Sequence, residues 1–248
     1  MPIQRITTKS VFQLLIDRPT RRNAIDSETA NELAEQLRQA NADPNCAVVV
    51  IAGVGPCFCA GSDLKELAGQ QPSRLAEVER VKAALARTIQ DIDVPVIAAV
   101  HGYALGGGCS LATACDLVVS DAQTFWHMPE VLNGWLPPWG IQPLIDRCGP
   151  VRARHLLWAR ERINGAAAHE LGLVDRLSEP GRVLEVALQQ ANDWAALPAI
   201  ARRSVKPYLR TTRGFSPRDA DAYASDQFEA HCASAAAQNT LKRFGAKS

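Results

Sequence analysis

The sequence predicts an α/β core with parallel strand pairing, followed from about residue 198 by a helical region. Three observations predict it. Strand-like and helix-like segments alternate over most of the chain, and the runs AVVVIAG (47–53) and VPVIAAV (94–100) are almost wholly apolar, as in strands covered on both faces. Beyond Pro198 no strand-like run occurs. At 248 residues, 47% of them hydrophobic, the chain has apolar surface enough for one large domain or two small ones. We divide it into a core over 1–197, carrying the site, and a helical region over 198–248.

The N-terminal MPIQRITTKSVFQLLI reads as the start of a strand rather than a signal peptide, because Arg5 and Lys9 interrupt it. VFQLLI (11–16) is strand-like, and Pro19 in DRPTRRNA ends it, since proline cannot occupy a central ladder position. A helix follows from Asp26, with Ala30, Leu33, Ala34 and Leu37 at helical spacing and Asp26 or Ser27 as its cap. NADPN (41–45) stops it. The buried strand 47–53 ends in the turn GVGPCFCAGSDL, a helix spans about 73–90, and VPVIAAV is a third buried strand. A helix over about 107–114 leads to the strand DLVVS, after which VRARHLLWA, AAAHELGL and VLEVALQQANDWAAL all read as helical.

A formal net charge of +1 without a basic or acidic block gives no electrostatic footprint for nucleic acid or membrane. No apolar run reaches the roughly 18 residues that a membrane span needs. Seven cysteines, an odd number, read as reduced thiols of a cytoplasmic protein. Cys57 and Cys59 form a lone C-x-C with no second pair at zinc spacing, so we expect no metal site.

The stretch YALGGGCSLATACD (103–116) places Gly106, Gly107 and Gly108 between a strand and a helix. Such a turn presents unpaired N–H groups and the positive end of a helix, which suit phosphate, carboxylate or a developing oxyanion. Tight packing of a strand–helix corner accounts for the glycines equally well. Neither G-x-x-x-x-G-K-[ST] nor G-x-G-x-x-G with a following acid is present, so neither phosphate-loop nor dinucleotide binding is indicated. CFCAGSDL (57–64) is a second transition of the same kind.

FCAGSDL, HGYALGGGCSLATACDLVV and MPEV together resemble the enoyl-CoA hydratase/isomerase (crotonase) superfamily, supported by DRPTRRNAI, DPNCAVVVIAG and LGLVDRL. The resemblance implies a crotonase-type spiral of ββα repeats with C-terminal helices that assemble a homotrimer or a dimer of trimers. It implies an acyl-CoA thioester as substrate, coenzyme A entering as part of that substrate with no separate cofactor. The thioester oxygen would lie between the backbone N–H groups of Ser62 and Gly107, which stabilise an enolate where its charge develops. Because those donors are backbone atoms, the Ser62 side chain is expected to be dispensable.

Family hydratases usually carry two glutamates, and only the second has a match here, Glu130; the first position is Ser110. Serine has no useful basicity near neutral pH, so the pair that divides acid and base work in hydration is incomplete. Pro138 also replaces a glycine whose N–H commonly helps to hold the water, and proline has none. One carboxylate can still move a double bond, and the family's enoyl-CoA isomerases work with a single glutamate at the position of Glu130. The resemblance therefore points first to isomerisation. Hydration with one glutamate, decarboxylation, C–C lysis and thioester hydrolysis use the same oxyanion device. An acyl-CoA-binding module without catalysis is the alternative of another class.

Trp126, Trp135, Trp139 and Met128 could form an apolar wall that raises the Glu130 pKa, or could simply be core. His127 could assist as a second base or be structural, and His101 is expected to support the glycine turn. Ser110 is not in G-x-S-x-G and is not expected to be a nucleophile, though it could assist. By resemblance Cys59, Ala60, Gly61 and Gly106 lie along the substrate, Lys65 near the CoA phosphates, and Phe244 and Lys247 at the nucleotide. Lys65 reads equally well as a solvated helix charge.

Overall fold

The structure, a computed structural model, describes residues 1–245. Strand β1 (Ile3–Thr8) turns back on β2 (Val11–Ile16) as an antiparallel hairpin with Ile3 opposite Ile16. Helix α1 (Ser27–Ala42) is capped by the Asp26 carboxylate, which accepts the Thr29 N–H, and buries Ala30, Leu33, Ala34 and Leu37 as their spacing predicts. Then come β3 (Val48–Gly53), the short α2 (Leu64–Leu67), α3 (Pro72–Asp91), β4 (Val96–Val100), β5 (Tyr103–Leu105) and α4 (Gly107–Ala114). They are followed by β6 (Leu117–Asp121), β7 (Phe125–His127), α5 (Ile141–Trp158, kinked at Gly149–Pro150), β8 (Ile163–Asn164), α6 (Gly165–Glu170) and β9 (Arg176–Ser178). Helices α7 (Val183–Ala195), α8 (Ala199–Thr211), α9 (Pro217–Cys232) and α10 (Ala235–Gly245) complete the described chain.

Six strands form one sheet in the order β1-β2-β3-β4-β6-β9, parallel from β2 onward. A smaller sheet, β5-β7-β8, runs beside it. The chain advances from a long strand to a short one and then to a helix: β4–β5–α4 is one such turn, and β6–β7 begins the next. This is the spiral of the crotonase fold.

Alternation along β3 explains why it reads as continuously apolar. Val49 and Ile51 face the main core with α1 and α3, whereas Val48, Val50 and Ala52 face Val183, Ala187 and Ala191 of α7. Two antiparallel pairings, β1 with β2 and β7 with β8, depart from the expected parallel pairing. Helices α8 and α9 have no buried residue, and Leu209, Phe228 and Phe244 are exposed along the C-terminal helices. Among the described residues no helix is long and apolar enough to cross a membrane.

A buried asparagine holds the turn after β3. Asn23 is fully buried and donates through Nδ2 to the carbonyls of Val54 (2.9 Å) and Cys57 (2.7 Å), while its Oδ1 accepts the Arg18 N–H. Arg18 in turn pairs with Asp26 (2.6 Å) and Asp63 (3.0 Å). Asn23→Ala would leave buried carbonyls unpaired, and we expect a loss of about 2 kcal/mol or more in urea unfolding.

Candidate active site

Two turns meet, one after β3 and one after β5. An isolated parallel bridge joins Cys59 to Ala104: the Cys59 N–H donates to Tyr103 (3.3 Å) and the Leu105 N–H donates to Cys59 (3.1 Å). The first turn is further tied to the start of α1 by Ile25, which donates to the Gly61 carbonyl and accepts from Asp63. The second is anchored by the Gly106 N–H, which donates to His127 on β7 at 2.8 Å. A methyl group added to Gly107 would lie 3.3 Å from the Ser62 nitrogen, so the two backbones lie side by side. Among the described residues neither the Ser62 nor the Gly107 N–H has an acceptor. They form a pair of free backbone donors at the start of α4, suited to a developing oxyanion.

These donors open into a cavity of about 700 Å³. Its wall is largely apolar, with Leu64, Leu67, Leu75, Leu136, Trp135 and Trp139 among its residues. Two carboxylates also line it, and their surroundings differ. Glu130 sits in the turn after β7, is 9% exposed, and lies against Gly106: an added Cβ there would come within 2.7 Å of its Oε1. Only glycine fits at 106, which also has a φ of +51°. Glu130 Oε2 is buried with no hydrogen-bond partner. Burial raises the Glu130 pKa above the usual 4.5, and the nearby charge of Glu79 adds to the rise.

The second carboxylate, Glu79 on α3, is fully committed. Its Oε2 accepts Trp139 Nε1–H at 2.8 Å and the Ser62 hydroxyl at 3.1 Å, and its Oε1 accepts from Lys82 at 2.9 Å. Lys82 is entirely buried and lies 3.3 Å from Glu66 as well. The Trp139 indole rests on the glycine turn, with Cζ2 placed 2.8 Å from where a Gly107 methyl group would be. The sequence reading missed Glu79 and Lys82. Their signal was two opposite charges, three residues apart, on the buried stripe Val78–Glu79–Lys82–Leu85–Ile89 of α3.

Of the expected site residues, Ala60, Ser62, Gly106, Gly107, Ser110, Glu130 and Trp135 line the cavity together. Others do not. Trp126 is buried elsewhere, lining with His127 a separate cavity of about 20 Å³, and His127 Nε2 faces the Ala159 carbonyl at 3.3 Å. Both sit on β7 and line that second cavity, not the one beside Glu130. Cys59 is packed into the junction of the turns, its sulfur accepting the buried Gly61 N–H, and burial pushes its thiol up to about 12. Lys65 is exposed on α2, outside the cavity wall. Phe244 is 72% exposed on α10, away from that wall, and Lys247 lies outside the described residues. His101, expected at the glycine turn, instead faces the Gly55 carbonyl through Nε2 at 2.9 Å and so braces the first turn. The Ser62 hydroxyl, expected to be idle, is part of the Glu79 network.

Ser110 donates to the Trp139 carbonyl at 3.2 Å. The Trp139–Gly140 backbone runs so close over it that a Cβ at Gly140 would collide with the Ser110 side chain. A small residue is needed at 110 because this segment occupies the space above it.

The spiral fold, the paired backbone donors and a buried, unpartnered carboxylate define an enzyme of the crotonase fold. The chain belongs to the enoyl-CoA hydratase/isomerase family, whose model matches residues 7–247. Similar proteins include the 2,3-dehydroadipyl-CoA hydratase of Escherichia coli (strain K12), 34% identical over 82% of this chain and 79% of that protein. The carnitinyl-CoA dehydratase of Proteus mirabilis (strain HI4320) is 33% identical over 85% of this chain and 81% of its own. A solved enoyl-CoA hydratase from Bacillus anthracis superposes with a TM-score of 0.93 at 27% identity, covering 100% of this chain and 97% of that one.

Gly107→Ala tests the donor pair. The added methyl group would meet an indole that Glu79 holds in place, so we expect turnover of acyl-CoA to fall about a hundredfold or more. Ser62→Ala, which keeps both backbone donors and loses one side-chain hydrogen bond, should cost less than about tenfold.

Proposed function

We propose that the protein is an enoyl-CoA double-bond isomerase with Glu130 as its single acid and base. The observation that carries this reading is the contrast between the two carboxylates: Glu130 has a buried oxygen without a partner, whereas both Glu79 oxygens are occupied. In a 3-enoyl thioester, Glu130 removes a proton from C2, and the electron pair moves onto the thioester oxygen between the Ser62 and Gly107 N–H groups. The same carboxyl returns the proton at C4 as the enolate collapses, leaving the 2-enoyl thioester. The raised pKa suits both halves of the step, because a more basic carboxylate takes the proton and its acid then gives it back.

Hydration by Glu130 alone is the second reading, favoured by the names of the similar proteins, which are hydratases and a dehydratase. Mass spectrometry of 2-enoyl and 3-enoyl thioesters incubated with the protein in D₂O separates the two. Conversion of 3-enoyl to 2-enoyl without added water, lost in Glu130→Gln, is the expected result; a product heavier by one water would refute isomerisation.

The same carboxylate sets a pH dependence. Glu130 works as a base only when ionised, so kcat/KM should fall as pH drops through a value above 4.5. Folding favours its neutral form, so stability from this group is present at low pH and is lost as pH rises through the raised pKa. Glu130→Gln escapes that loss, and its Tm advantage over the wild type should widen from acid towards alkaline pH.

A further inference from the structure

One wall of the cavity has its buried side-chain donors already committed. Glu130 lies against Gly106 and the Trp139 indole against Gly107, so the two flank the same turn. Around the indole, the side-chain donors already have acceptors. The Trp139 N–H and the Ser62 hydroxyl go to Glu79, and the Ser110 hydroxyl goes to the Trp139 carbonyl. Pro138 has no N–H to give. An ordered buried water needs about two to four polar partners. With a thioester oxygen taking the Ser62 and Gly107 N–H groups, the Glu130 carboxylate is the side chain of this wall that still has a buried oxygen without a hydrogen-bond partner among the described residues. The other polar side chains of the lining, Arg80, Asn133 and the Trp135 indole, are exposed to solvent.

The indole is also held rigidly. Its N–H is fixed by a carboxylate that a fully buried lysine anchors from behind. Its backbone passes over Ser110 at a separation that only glycine at 140 permits. Swinging Trp139 away would leave Glu79 Oε2 short of a donor in a buried setting, which is costly.

We propose that Trp139, clamped by Glu79, is a specificity-determining residue that keeps water from the acyl C3 beside Glu130 and so commits the bound thioester to internal proton transfer. This rests on the isomerase reading above. With water excluded, the C2–H bond breaks, the C4–H bond forms from the same carboxyl, and nothing is added. With water admitted, its oxygen would bond to C3 and a proton to C2, giving the 3-hydroxyacyl thioester. Glu79 is a positioning residue in this scheme, acting on water through the indole.

The test uses wild type, Trp139→Ala and Trp139→Phe with enoyl thioesters in heavy-oxygen water, reading the ratio of hydrated to isomerised product. That ratio is insensitive to a general loss of active protein. The wild type should give isomer free of heavy oxygen. Trp139→Ala should raise the hydrated share about tenfold or more, and Trp139→Phe, which retains most of the apolar bulk, should raise it less. An unchanged ratio in Trp139→Ala, with an isomerising wild type, overturns the role of Trp139 alone. Heavy oxygen in the wild-type product overturns this role and the isomerase reading together. If none of the thioesters turns over, crystals of wild type and Trp139→Ala with saturated butanoyl-CoA decide the matter. A water bonded to Glu130 in the variant and not in the wild type supports the proposal; one in both, or in neither, overturns it.

Discussion

The parallel bridge between Cys59 and Ala104 is the contact on which the site depends. Each turn alone is an ordinary strand-to-helix corner. Joined at this bridge, they bring the Ser62 and Gly107 nitrogens together from positions far apart in sequence. Backbone donors placed in this way need no reorganisation when charge develops, which is why they suit an enolate better than mobile side chains would. The rest of the local architecture maintains the bridge: Asn23 and His101 brace the first turn, and the Gly106 N–H ties the second to β7.

Around that centre, hydrogen-bond partnership divides the work between two buried carboxylates. Glu79 and Glu130 line one cavity, yet Glu79 faces an ammonium, an indole N–H and a hydroxyl, while Glu130 faces apolar surface and glycine backbone. A carboxylate with paired oxygens is a scaffold; one with an unpartnered buried oxygen is poised to take a proton. Ser110 belongs to the scaffold. Its size makes room for the Trp139–Gly140 segment, so the absence of a carboxylate there and the presence of the indole are one structural fact.

Much of this was legible in the sequence, for identifiable reasons. Helix α1 announced itself through four apolar residues at helical spacing and an aspartate cap, and α4 through the glycines that precede it. The two turns and Glu130 were readable because their motifs are specific in combination. Strands β5, β7 and β8 were not, since two or three residues are too few to display a period of two. The tryptophans were visible as a group, but composition could not say that Trp139 enters the cavity while Trp126 is buried behind β7. That division follows from where each sits, Trp126 on β7 and Trp139 in the irregular segment that leads into α5. Glu79 went unread because a carboxylate on a helix is ordinarily a solvated one, and only its spacing to Lys82 on the apolar stripe hinted otherwise.

Isomerisation as proposed requires one carboxyl that both removes and returns the proton. It is tested most directly with a 3-enoyl thioester carrying deuterium at C2, followed by NMR of the 2-enoyl product formed in ordinary water. A single base shielded from solvent predicts that a measurable share of the deuterium reappears at C4. Formation of the 2-enoyl product with no label at C4 beyond background, or a 3-hydroxyacyl product instead, would contradict the account.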